Sequence, residues 1–365
     1  MKKTLFAALA LVAMASCSNE EVLEMAQKEA IAFNNAFVNN STRSVAAGYT
    51  NDKLFADFTV NGFVATTELF NNDKVYVPNA DANTPITKDN ATWIYDDIQY
   101  WIPDALYSFC ALAPHTDGGY SNLTTTIGTP VENKKSLTTR FDFVNDGTID
   151  LLYDEANCVK GQNTGNQPVA FNFRHLLSKV KFSFKNSYNA TNSKIKVTDI
   201  KITNAHSKAS ATLTAENTNW VLSSDDAKIT LNFGDATDLE GNELIETEAP
   251  EKGYESGKTY ESKYEMLLIP SSTEYEYKVE FVVELYINDE KIATYYHTGD
   301  HAATVKFAPA AATSYNITAE ITPNNIDDDP TAVQQPIQFT VTNVGEWTTG
   351  NATVTIPEKN PAQGE

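Results

Sequence analysis

Short runs of alternating apolar and polar residues recur along the chain, while stretches with a helical period are scarce. Val180-Lys181-Phe182-Ser183-Phe184, Tyr277-Lys278-Val279-Glu280-Phe281 and Tyr315-Asn316-Ile317-Thr318-Ala319 each place their apolar side chains on one face of an extended strand. Residues 58–60, 74–77, 106–109 and 195–197 are shorter, but rich in the β-branched and aromatic types that strands favour. Asn, Gly, Asp, Thr and Pro punctuate these runs, as tight turns require. Many short strands at close spacing predict an all-β protein built from β-sandwiches. Only residues 19–27 offer a helical pattern, and a solvated tether suits them better. Polar, exposed connections are expected over residues 79–90, 116–135 and 235–258.

The length of 365 residues suggests two domains of ordinary size. Before residue 175 lysine is sparse and Tyr and Trp are frequent; afterwards strands carry Lys on their alternate face. The boundary is therefore expected near residue 176. A second change comes at Ile326-Asp327-Asp328-Asp329-Pro330, an acidic turn that precedes one more alternating stretch.

The N-terminus sets the compartment. Lys2 and Lys3 precede a short apolar run over residues 5–13, too brief to span a membrane, and Met14-Ala15-Ser16 lead into Cys17. Residues 1–16 thus read as a removable signal peptide. Small residues before a cysteine are the pattern of a bacterial lipoprotein signal, with lipid on the Cys17 thiol; ordinary cleavage near Ala15 is the alternative. Removing Lys2 and Lys3 leaves 25 Lys and Arg against 48 Asp and Glu, a net charge of −23. That balance argues against nucleic acid or anionic lipid head groups as partners. The remaining cysteines, Cys110 and Cys158, do not make a disulfide framework; one bridge or two buried thiols both fit.

Several segments together carry a family resemblance. Trp93-Ile94-Tyr95 and Tyr100-Trp101-Ile102-Pro103 pair aromatic residues ahead of an apolar strand that ends in Ala111-Leu112-Ala113-Pro114. Asp150-Leu151-Leu152-Tyr153 is followed by Phe171-Asn172-Phe173-Arg174-His175-Leu176-Leu177-Ser178-Lys179-Val180, the most specific of the group. Leu267-Leu268-Ile269-Pro270 and the closing Ile337-Gln338-Phe339-Thr340-Val341 with Trp347 complete it. These segments resemble the fimbrillin family (type V pilins). Ser18-Asn19-Glu20-Glu21 likewise resembles the acidic tag that sends lipoproteins to the outer leaflet of the outer membrane.

The resemblance implies two tandem transthyretin-like β-sandwich domains with a C-terminal strand arm. It divides the chain into a signal peptide (1–16), a lipidated tether with a removable first strand (17–43), an N-terminal sandwich (44–176), a C-terminal sandwich (177–332) and a donor-strand arm (333–365). In related pilins a trypsin-like protease cuts after an arginine, the first strand leaves, and a strand from the next subunit fills the groove. Here the implied parts are Ile31, Phe33 and Phe37 in the first strand, and cleavage between Arg43 and Ser44. Arg43 lies in a polar, cleavable context; a surface arginine in a loop is the plainer reading. The donor would be Ile337, Phe339, Val341 and Trp347.

Strand exchange makes physical sense of that C-terminus. Ile337, Phe339 and Val341 share one face at period two, and an inserted strand satisfies both its own ladder and the groove's open edge. Burying those three side chains contributes about 5–9 kcal/mol before ordering costs. The bland alternative makes them the last strand of the C-terminal sandwich. The expected role is a structural subunit of a surface fimbria, with partners that are other copies of itself or related subunits. Its expected location is the outer membrane, through lipid on Cys17, and then the fimbrium. The alternative is a fimbrial tip or anchor, or a monomeric surface lipoprotein adhesin that binds host protein or glycan through aromatics such as Trp93, Tyr95, Tyr100 and Trp101.

No enzyme signature emerges. His297 and His301 stand four apart, but beside Gly299 and without a third ligand. Residues 235–241 mimic a calcium loop yet place Ala236 and Leu239 where oxygen ligands belong. His175 reads as a hydrogen-bonded junction histidine. No metal, cofactor or catalytic residue is expected, and no Gly-x-Ser-x-Gly or phosphate-binding glycine loop is present.

Overall fold

The structure is a computed structural model that describes residues 29–38, 57–65, 74–77, 84–89, 92–96, 98–115, 117–127, 137–162, 165–225, 227–237, 253–326 and 337–343. Its first ten strands are β1 (Phe33–Val38), β2 (Asp57–Ala65), β3 (Lys74–Val77), β4 (Thr84–Asp89), β5 (Thr92–Ile94), β6 (Leu106–Ala113), β7 (Tyr120–Ile127), β8 (Leu137–Val144), β9 (Leu152–Lys160) and β10 (Val169–His175). Next come β11 (Ser178–Asn186), β12 (Ser193–Ala205), β13 (Lys208–Leu213), β14 (Thr218–Leu222), β15 (Ile229–Gly234), β16 (Ala236–Thr237) and β17 (Tyr254–Glu255). The last are β18 (Thr259–Ser262), β19 (Met266–Leu268), β20 (Tyr275–Ile287), β21 (Glu290–His297), β22 (Ala303–Phe307), β23 (Thr313–Ile321) and β24 (Phe339–Asn343). The only helical element among the described residues is a 3₁₀ turn at Gly299–His301, so the fold is all-β.

The alternating runs over residues 180–184, 277–281 and 315–319 lie inside β11, β20 and β23 with their apolar side chains buried, whereas in the closing stretch Ile337 and Gln338 precede β24. Val180, Phe182 and Phe184 are at most 2% exposed, as are Tyr277, Val279 and Phe281. All three segments expected as connections contain strands, residues 235–258 only the two-residue β16 and β17. β4 lies within residues 79–90 and pairs on both sides, with β2 and with β5. Its one strong local cue is Ile86, which is fully buried; two flanking ladders override weak propensity. β7 lies within residues 116–135 as the edge of a sheet, and its Thr-rich sequence is only half-buried on the inner face.

Four sheets form. The largest runs β1-β10-β9-β6-β2-β4-β5, with β3 also on β2. A four-stranded sheet, β14-β13-β8-β7, covers one of its faces. Two six-stranded sheets, β16-β18-β11-β23-β24 with β19, and β15-β12-β20-β21 with β17 and β22, enclose the largest apolar cluster. The expected boundary near residue 176 falls at the β10–β11 turn, but the chain crosses it again. The β13–β14 hairpin returns to pair β13 with β8, setting Ala211 opposite Phe141 and Ala209 opposite Phe143. Small alanines there let the facing phenylalanines fill the space between sheets.

The junction signature spans all three apolar clusters. Phe171 and Phe173 belong to the cluster inside the large sheet, Leu176 and Leu177 to the one beneath the four-stranded sheet, and Val180 to the C-terminal one. Between them Arg174 donates to the carbonyls of Thr214 and Ala215 in the hairpin turn, at 2.6 and 2.8 Å. His175 Nδ1 sits 2.8 Å from Asp150 Oδ2, both side chains buried. The Leu176 carbonyl accepts from Trp220 Nε1 at 3.0 Å, and Asn145 Nδ2 donates to the Leu267 carbonyl at 3.0 Å. The motif is therefore a set of inter-sheet ties.

Candidate functional site

The first described strand closes the large sheet on itself. β1 runs parallel to β10, with Phe33 opposite Val169 and Asn34 opposite Ala170. The register then slips, and Phe37 pairs with Asn172, which is where Asn34-Asn35 break the alternation. On the other side the chain just ahead of β1 lies antiparallel to residues 99–101. Ile31 N–H donates to the Gln99 carbonyl at 2.8 Å, Trp101 N–H to the Glu29 carbonyl at 2.9 Å, and Ala30 bridges Tyr100.

Ile31 and Phe33, 1% and 3% exposed, fill the centre of this closed sheet. The Phe33 ring meets Phe58 at 6.5 Å, Tyr95 at 5.6 Å, Phe109 at 5.9 Å and Phe171 at 6.0 Å. Tyr95 adds a hydrogen bond from its hydroxyl to the Ile31 carbonyl, at 2.8 Å. The Glu29 carboxylate clamps the neighbouring loop, accepting from Gly165 N–H at 2.7 Å, Asn166 N–H at 2.8 Å and Asn166 Nδ2 at 2.7 Å. Those hydrogen bonds, led by the one from Gly165, hold its pKa below the ordinary 4.5.

At the other end of the chain, β24 lies antiparallel to β23, with Phe339 opposite Ala319 and Val341 opposite Ile317. Ile337, Phe339 and Val341 are 6%, 1% and 0% exposed, while Gln338, Thr340 and Thr342 face solvent. The Phe339 ring packs against Phe182 at 5.8 Å, Phe184 at 6.1 Å and Phe281 at 5.7 Å. In this chain the closing strand is thus seated in its own C-terminal sandwich. Cys17, Arg43, Ser44 and Trp347 lie outside the described residues, as does the side chain of Phe37.

Among the aromatics considered as ligand platforms, Trp101 is 5% exposed and Trp93 and Tyr95 pack on the same cluster; Tyr100 is exposed. Cys110 is a free, buried thiol near the hydroxyls of Thr125 and Thr139, and burial pushes its pKa up. His297 stacks on Phe281 at 4.6 Å, and burial, with His301 nearby, pushes its pKa down to about 4. No group of three ligating side chains occurs among the described residues. Sequence reasoning missed Glu29 and the backbone of residues 99–101. The available signal was the alternation through Trp93, Tyr95 and Trp101, which face inward while Ile94, Ile98, Tyr100 and Ile102 face outward.

Comparison with known proteins agrees with this architecture. A fimbrial protein from Bacteroides vulgatus ATCC 8482 is similar in fold, with a TM-score of 0.52 at 18% identity over 86% of this chain and 98% of that one. A fimbrial assembly protein from Parabacteroides distasonis ATCC 8503 matches at 12% identity over 90% of this chain and 100% of its own, with a TM-score of 0.38. Among curated proteins no sequence matches. The model of the fimbrillin-like family matches residues 42–347, most of the chain including the junction signature, and the chain belongs to that family.

Proposed function

We propose that this protein is a structural subunit of a cell-surface fimbria, exported as an outer-membrane lipoprotein on Cys17 and matured by cleavage after Arg43. Assembly then exchanges β1 for the C-terminal strand of another copy or a related subunit. The observation that carries this reading is the placement of β1. With the residues just ahead of it, it fills the interior of the large sheet through Ile31 and Phe33, yet a separate segment parts it from the next strand of that sheet.

The energetics support exchange triggered by a cut. Before cleavage β1 is an intramolecular ligand with an effective concentration in the millimolar range, so a competitor strand loses. After cleavage between Arg43 and Ser44 it becomes a separate peptide that diluting surroundings carry away. Its departure would uncover Phe58, Phe109 and Phe171 and leave the main-chain edges of β10 and residues 99–101 without their ladder. An alternating strand such as Ile337-Gln338-Phe339-Thr340-Val341 restores both the ladder and the apolar filling.

The test is limited trypsin treatment of the lipidated chain, followed by N-terminal sequencing and unheated SDS gels. Ladders that dissociate on heating and begin at Ser44 are expected. A single lipidated monomer beginning at Cys17, unchanged by trypsin, removes this reading. A second reading, an anchor or monomeric surface adhesin, is favoured by one observation: Ile337, Phe339 and Val341 are already buried in the chain's own core. In that case the same experiment yields the uncut monomer.

A further inference from the structure

β9 and β10 are neighbours in the large sheet, but they pair only at Tyr153–Arg174 and Leu152–His175. Beyond that corner a side chain replaces the ladder: Asn172 N–H donates to Asp154 Oδ2 at 2.6 Å. The strands then diverge and leave a hollow of about 370 Å³ between them, within the size range of small-molecule sites. Its walls are Ala156 and Val159 from β9 and Val169 and Ala170 from β10, with Trp101 at its base.

The hollow is a built feature. Trp101 is held edge-on by Tyr107 at 4.8 Å, which fixes its ring. The rim loop starts at Gly161, whose N–H donates to the Ala105 carbonyl at 2.9 Å and whose carbonyl accepts from Asp104 N–H at 3.0 Å. A Cβ at Gly161 would fall 2.3 Å from the Ile102 carbonyl oxygen, so that close approach requires glycine. At its far end the rim is pinned by the three hydrogen bonds to Glu29. The exposed Gln162 and Gln167 also line the hollow; Gln167 Nε2 donates to the Gly165 carbonyl at 3.2 Å, which holds that amide in place and leaves its Oε1 to accept.

We propose that this hollow binds a neutral saccharide unit. Among the described residues no charged side chain lines it, and the Glu29 carboxylate is taken up by the rim loop. An apolar wall with amide groups at its rim suits a pyranose ring, whose C–H face packs on the half-buried Ala156, Val159 and Pro168 while its hydroxyls bond Gln162 and Gln167. A chain with a net charge of −21 repels acidic ligands, which selects uncharged sugars over sialic or uronic acids. The assignment does not rest on strand exchange, and its test uses the uncut chain.

The test is saturation-transfer NMR on the full chain with D-galactose and N-acetyl-D-glucosamine as probes and N-acetylneuraminic acid as the charged control. Transfer to at least one neutral probe is expected, with millimolar affinity. Ala170→Trp, which fills the hollow from an exposed position, should abolish it. The double variant Gln162→Ala with Gln167→Ala should weaken it about fivefold to tenfold with unchanged melting, for two uncharged hydrogen bonds. Absence of transfer to both neutral sugars, full binding in Ala170→Trp, or equal binding of the acid overturns the site. Loss in Ala170→Trp with no effect of the amide pair overturns the saccharide assignment, because the hollow would then be reading apolar surface alone.

Discussion

Phe33→Ala tests whether the first strand is held by its packing. The side chain is 3% exposed and surrounded by the rings of Phe58, Tyr95, Phe109 and Phe171. Truncating a buried phenylalanine costs about 3–5 kcal/mol, as lost transfer energy plus the cavity left behind. Collapse into that cavity is resisted here, because the four neighbouring rings are themselves anchored on β2, β6, β10 and the segment after β5. The cost is therefore expected in the upper half of the range, about 4–5 kcal/mol, which lowers the melting temperature by on the order of 10 °C. Guanidinium unfolding followed by tryptophan fluorescence measures it, since Trp93 and Trp101 pack in the same cluster. Ile98→Ala, at a position 54% exposed on the outer side of the same closure, is the control and should cost under about 1 kcal/mol. A loss below about 2 kcal/mol for Phe33→Ala would mean that β1 is not seated as described.

Further expectations concern the ties around the clamp and the junction. Glu29 has a folded pKa depressed below 4.5, so its contribution is present above that value and disappears as pH falls through the folded pKa. Protection factors of the Ile31 and Trp101 amides, taken relative to intrinsic exchange at each pH, should therefore fall in acid in the native chain, and Glu29→Gln should remove most of that pH dependence; equal slopes refute the clamp. Lys179 is 1% exposed with Nζ 3.1 Å from Glu265, so Glu265→Ala, which takes a carboxylate partner from a buried ammonium, should cost about 3 kcal/mol. Lys179→Met should be neutral within about 1 kcal/mol by the same denaturation assay, and a larger loss would show the pair to be net stabilising. Arg174→Lys cannot reproduce the forked donation to Thr214 and Ala215, and should cost about 1–2 kcal/mol and speed amide exchange in the β13–β14 hairpin. Unchanged exchange there would assign the hairpin's stability to Ala209, Ala211 and Leu213 alone.

By itself the sequence determined which runs are strands and which face of each is buried. Period-two alternation is a local property, and it reads the same before and after folding: Val180, Phe182 and Phe184 face inward, as do Ile337, Phe339 and Val341. The junction signature was legible as a motif and carried the family. Other matters depended on contacts between residues far apart in the chain, which leave no local trace. β4 and β7 are strands because partners supply their ladders, and the β13–β14 hairpin joins β8 because two alanines face two phenylalanines. Glu29 gains its role from backbone donors at Gly165 and Asn166, across more than a hundred residues of chain. The parallel seating of β1 beside β10 and the divergence of β9 from β10 are likewise set by the closure of the large sheet. Side-chain polarity fixes what a strand buries; only the packed structure fixes against what, and so where a strand can be exchanged or a ligand held.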